Sequence, residues 1–144
     1  MTYTQITIDW NADPNAPEVQ LTVNNNSVTL EFYLNYFLFD RFQEGDKARL
    51  TFNQCYKYAF NGMNDEGYFQ EQYRYKDNEL PWGEFYNVET DWEKDFPVKH
   101  EVLYSENDKQ RLNHYIFLFK DNTFECVAKD YKLEFNLQRE KHHS

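Results

Sequence analysis

At 144 residues the chain has the length of one domain, and a 19% share of aromatics supplies buried area despite a mean hydropathy of −0.96. Fifteen basic against 25 acidic residues, net −10, oppose both a nucleic-acid partner and an anionic membrane. Four Gly and four Pro exclude a low-complexity or collagen-like chain.

The start, MTYTQITIDW, lacks the basic-then-apolar order of a secretory leader, and no apolar run approaches the ~18 residues of a membrane span. The expectation is a cytoplasmic protein with Cys55 and Cys126 both free. Ile6-Ile8-Trp10 and Val19-Leu21-Val23 alternate as short strands do. Between them, Asp9 to Asn15 has the rhythm of a calcium loop. Pro14 replaces the glycine such a loop needs, and Gln20 stands where its bidentate Glu belongs. A polar turn between strands explains these residues better, and no metal or other cofactor is expected.

Residues 27–39, SVTLEFYLNYFLF, alternate at first and then turn apolar on both faces. Leu34, Phe37, Leu38 and Arg41 share a helical face, but the aromatic richness favours a strand diving into the interior. Residues 47–60 form the clearest two-fold pattern, with Ala48, Leu50, Phe52, Tyr56, Tyr58 and Phe60 inward and a bend expected near Gln54. Cys55 then falls on the polar face.

Residues 61–95 hold ten acids against Arg74, Lys76 and Lys94, a net −7 of the chain's −10, together with eight aromatics. Large rings within a charged rim are what a protein interface uses. The candidate partner-binding residues are Trp82, Glu84, Tyr86, Asp91, Trp92 and Glu93, with Asp77 and Glu79. Solvated loops with buried ring anchors explain the segment equally well.

Residues 105–113 read as a short helix capped by Ser105. In 114–128, Asp121-Asn122 suggests a two-residue hairpin turn that pairs Lys120 with Thr123. One face then carries Tyr115, Phe117, Phe119, Phe124, Cys126 and Ala128, a core face. His114 and Glu125 share the other, but that register holds them four residues apart, about 13 Å at ~3.3 Å per residue. Acid–base partners need hydrogen-bond reach, so the pair is expected to fail, with His114 at the surface or rim. Tyr131, Leu133, Phe135 and Leu137 alternate inward, and the charged run 138–144 reads as a flexible tail.

The sum is a mainly β protein: an antiparallel β-sandwich or partly open barrel of about eight or nine strands, with at most one or two short helices, over residues 1–137. No nucleophile, zinc or phosphate-binding motif occurs. The strings Cys55-Tyr56-Lys57-Tyr58, Asn64-Asp65-Glu66-Gly67, His114-Tyr115-Ile116-Phe117 and Asp121-Asn122-Thr123-Phe124-Glu125-Cys126-Val127-Ala128 resemble a group of small uncharacterised bacterial proteins. The resemblance implies a bacterial cytosolic protein without an assigned activity, and adds weight to Asp65, Glu66 and His114.

The leading expectation is therefore a non-enzymatic module, monomer or homodimer, that binds a basic protein. An immunity-type inhibitor of a basic toxin is its concrete form. The alternatives are a ligand-binding protein or enzyme with a pocket built from Asp65, Glu66 and His114, and an assembly subunit.

Overall fold

The computed structural model describes residues 2–61, 84–94, 96–97, 99–104, 112–120 and 122–138. Eight strands run in chain order: β1 (Thr2–Gln5), β2 (Gln20–Asn24), β3 (Ser27–Tyr33), β4 (Lys47–Asn61), β5 (Phe85–Glu89), β6 (Glu101–Val102), β7 (Asn113–Leu118) and β8 (Thr123–Asn136). They form one antiparallel sheet in the order β1-β5-β7-β8-β4-β3-β2, with β6 on the far half of β4, and the sheet does not close into a barrel. No helix occurs among the described residues, and the expected helix at 105–113 falls mostly outside them. Asn113, at its end, opens β7.

The sheet folds over on itself. The order places β3 three strand spacings from β7, roughly 14 Å if the sheet were flat. Yet the rings of Phe32 and Phe117 lie 5.1 Å apart, and those of Phe52 on β4 and Phe85 on β5 lie 5.8 Å apart. The core between the layers is an aromatic stack that includes Trp10, Phe32, Phe52, Phe85, Phe117, Phe119 and Phe124. Each such ring removes on the order of 150–250 Å² from water, so this stack is the main source of cohesion.

The fold line runs through the two long strands. Up to Phe52 the even residues of β4 face the core; Gln54 takes a left-handed backbone (φ 47°), and Cys55 turns inward, fully buried. A second irregularity follows, where the register with β8 slips between Cys55 and Lys57. It returns Tyr58 and Phe60 to the core and leaves Lys57 and Ala59 on the outer face. One extra residue in a strand reverses every side chain beyond it, and two reversals bend the strand without losing its pattern. The bend falls where the alternation placed it, but Cys55 does not keep the polar position it was expected to hold.

Three further expectations are corrected. Ile6-Ile8-Trp10 is not a strand: the ladder ends at Gln5, Ile8 is exposed and Trp10 enters the core. Residues 34–42 are neither diving strand nor helix, because the Oδ1 of Asn35 accepts hydrogen bonds from the amides of Phe37 and Leu38 and turns the chain. The β7–β8 register is Leu118 with Thr123, two residues from the pairing a two-residue turn would give. Because the shift is even, the core face keeps all its members.

Elsewhere local chemistry sets the turns. Asn25, at φ 56°, turns the β2–β3 hairpin, as an Asn readily does. Asp13 accepts the amides of Asn15 and Ala16 at Oδ1, which makes the 9–15 stretch a polar turn. Gln138, counted with the tail, donates its amide to Oδ1 of the buried Asp46; residues 139–144 lie outside the described ones.

Candidate functional site

The outer face of the β5-β7-β8-β4 layer should be wet if the protein were a simple two-layer sandwich. It is buried. Tyr86, Val88, Ile116 and Leu118 form a second apolar cluster there, and beside them Lys57, His114, Thr123 and Glu125 are all at most 6% exposed. The register explains the polar grouping. Glu125 pairs with Ile116 on one side and Ala59 on the other, two residues from His114 and Lys57 respectively. Diagonal neighbours of this kind are about 7–8 Å apart at the backbone, within reach of a glutamate.

The carboxylate accordingly reaches the histidine: Oε1 of Glu125 lies 2.9 Å from Nε2 of His114. This overturns the expected failure of the pair and the expected surface position of His114. Thr90, just past β5, places its Oγ1 2.5 Å from Nδ1 on the opposite side of the ring. With Glu125 as a carboxylate, which only accepts, Nε2 carries the ring proton and Nδ1 accepts from the Thr90 hydroxyl. The result is a threonine–histidine–glutamate hydrogen-bonded chain, with Thr90 its half-exposed member.

The segment after β5 packs over this chain. Lys57 donates through Nζ to the carbonyl of Trp92 at 3.1 Å, and its ammonium lies 4.5 Å from the Phe96 ring centre. Phe96 also stacks at a tilt 5.4 Å from the His114 ring, and Trp92 packs against Tyr56. Ring faces offer a partly desolvated cation an attractive surface, which makes a buried lysine tolerable here.

The partner-binding candidates scatter. Tyr86 is fully buried and packs edge-on to Tyr3, so its ring belongs to the outer apolar cluster and cannot touch a partner. Glu84 is committed within the molecule: Oε1 accepts from the Thr7 hydroxyl and Oε2 from the Asn11 amide, tying the N-terminal segment to β5. Trp92 is half-buried, whereas Asp91 and Glu93 are exposed. Asp65, Glu66, Asp77, Glu79 and Trp82 lie outside the described residues, so only His114 of the proposed catalytic group is placed.

A second feature had no warning in the sequence. A cleft of about 400 Å³ opens at the far end of the sheet, lined by the carboxylate residues Asp13, Glu18 and Glu44 and by Tyr33, Tyr36 and Phe37. The Asn35 turn at its rim leaves Phe37 and Leu38 respectively 60% and 65% exposed. Partial desolvation, then the charges of Glu44 and Asp13, push the Tyr36 phenol above its ordinary pKa.

No group of three metal-ligating side chains occurs among the described residues. No family model, curated protein or solved structure matches this chain.

Proposed function

We propose that this protein is a non-enzymatic binding module for a basic protein, in its concrete form an immunity-type inhibitor that masks a basic toxin in a bacterial cytosol. The observation that carries the reading is the Asn35 turn. It holds two large apolar side chains in solvent beside a cleft with three carboxylate residues. Exposed apolar anchors with a charged rim are the composition of a recognition surface. Asp91 and Glu93 add exposed negative charge elsewhere, and a net charge of −10 steers cationic partners toward the molecule.

The test is association with basic proteins captured from the source lysate, followed by kinetics on each one. Binding should weaken steeply with salt, and a Phe37→Ser, Leu38→Ser variant should dissociate faster. Capture that is indifferent to both salt and these substitutions would overturn the reading.

A second reading rests on the Thr90–His114–Glu125 chain. In it, Nδ1 of His114 takes the Thr90 proton, Oγ1 attacks a carbonyl carbon, and Glu125 stabilises the imidazolium through Nε2–H. The check is acylation of Thr90 by p-nitrophenyl acetate, read by peptide mass spectrometry. A label on Thr90 that disappears in His114→Gln favours this second reading; no label at Thr90 removes it.

A further inference from the structure

The cleft has stiff walls. The Asp13 amide bonds to the Tyr33 carbonyl, the Tyr33 amide to the Pro17 carbonyl and the Asn35 amide to the Asn11 carbonyl, so the 11–17 loop and the end of β3 move as one piece. Asp13 is held by its own turn, and both of those hydrogen bonds fall on Oδ1. Tyr36 and Phe37 stack with ring centres 4.2 Å apart and planes 29° from parallel, forming a small aromatic platform. None of the described lining residues is basic. Two cations stay on its margins: Lys120 donates to the Asn15 carbonyl at 3.4 Å, and the Lys47 ammonium lies 4.8 Å from the Tyr33 ring centre.

The chain itself shows which ligand such parts take. Arg41 places its guanidinium carbon 4.7 Å from the Phe42 ring centre and 4.9 Å from that of Phe135, while pairing with Asp9 at 3.2 Å. Aromatic faces plus a carboxylate thus already hold one arginine, and Lys47 on Tyr33 repeats half the pattern. A hard metal ion wants a shell of oxygen ligands and gains little from ring faces. A guanidinium gains from both walls: it stacks flat on an aromatic platform and donates in a fork to carboxylates. The cleft's volume lies at the small end of ligand sites, which suits one side chain better than a cofactor.

We propose that the cleft between the 13–18 loop and residues 33–45 is a receptor for a single arginine side chain presented by a partner protein. The inference rests on the binding-module reading and gives it a specific contact. The platform receives the guanidinium face, Asp13, Glu18 and Glu44 surround its edge, and exposed Phe37 and Leu38 cover the apolar stem.

The experiment titrates isotope-labelled full-length protein with N-acetyl-arginine methylamide, using the uncharged citrulline analogue as control. Saturable amide shifts confined to residues 13–18, 33–38 and 44–45 are expected, with citrulline about tenfold weaker or more. A Glu18→Gln, Glu44→Gln variant should keep the folded spectrum and lose most of the arginine response. Equal response to citrulline, shifts spread over the whole acidic surface, or an unchanged response in the variant would each overturn the cleft. A bound basic protein whose affinity ignores the Glu18 and Glu44 changes would also sink it, while leaving the module reading intact. If arginine fills the cleft but no basic protein binds, the module reading falls and the cation site stands.

Discussion

Glu125 and His114 meet 2.9 Å apart across two strands although neither is the other's direct partner in the ladder. Both are at most 1% exposed, so each neutralises a polar group that water cannot reach. Leaving one member of a buried hydrogen-bonded pair without its partner costs about 1–3 kcal/mol, and more when the survivor is a carboxylate. Glu125→Ala and His114→Ala should each destabilise on that scale. The double variant should cost less than the sum of the two, with a coupling of about 1 kcal/mol or more. Urea unfolding of the four proteins measures the cycle; strictly additive losses would mean that the contact contributes nothing.

Both thiols are free and buried, and desolvation followed by the neighbouring Cys55 raises the Cys126 pKa well above its usual value. Native protein should therefore react with a thiol reagent far more slowly than unfolded protein, which should titrate two thiols per chain. Cys126→Ser and Cys55→Ser should each cost about 1–3 kcal/mol, since each buries a strongly hydrated hydroxyl, for which the Lys57 carbonyl, 3.4 Å from the Cys55 thiol, is only a distant partner. A much smaller cost for Cys55 would argue that it does not turn inward at the bend.

The same burial makes the protein sensitive to base. Desolvation, then the nearby Cys126, raises the Tyr115 phenol well above the ordinary 10.0, and Tyr58 is raised with desolvation again the first cause. A raised acid pKa in the folded state means that the unfolded chain loses its proton first. The stabilising contribution is complete below the unfolded values, near 9 for Cys126 and near 10 for the tyrosines, and is lost as pH climbs past them. Melting temperature should fall from about pH 9 upward, less steeply in Tyr115→Phe. A flat profile to pH 11 would contradict the burial of these groups.

Gln54 sits in a conformation that costs a residue with a Cβ about 1–2 kcal/mol. Gln54→Gly should stabilise by up to about 1 kcal/mol, after the entropy glycine loses on folding. Gln54→Val should destabilise by about 1–2 kcal/mol, because a β-branched residue resists positive φ most. The two melting temperatures moving in the same direction would show that the bend is set elsewhere.

Asp91 and Glu93 are exposed, so Asp91→Asn with Glu93→Gln should leave stability within about ±0.5 kcal/mol per site. Against a basic partner the pair should slow association and flatten its salt dependence, with dissociation little changed. Stopped-flow kinetics at two ionic strengths separates these effects. An unchanged association rate would remove this end of the molecule from the steering field.

Alternation alone was enough to place the first half of β4 and the core faces of β7 and β8, though it misread Ile6-Ile8-Trp10. Ala48, Leu50 and Phe52, and Phe124, Cys126 and Ala128, are buried as period two requires, since strand geometry permits no other grouping. The bend at Gln54 was legible for the same reason: it is where that period carries a polar residue inward. Turn chemistry was legible where a side chain acts on its own backbone, as at Asp13. Nothing local distinguished one β7–β8 register from another two residues away, because an even shift preserves both faces. The meeting of His114 with Glu125 hung on that shift, and the contact with Thr90 on a residue just past β5, 24 positions away in sequence. The cleft likewise joins residues 13–18 to 33–45, and the exposure of Phe37 and Leu38 follows from one asparagine turning the chain. Side-chain pattern is a property of a strand, whereas these sites belong to how strands and loops lie against one another, and only the tertiary structure decides that.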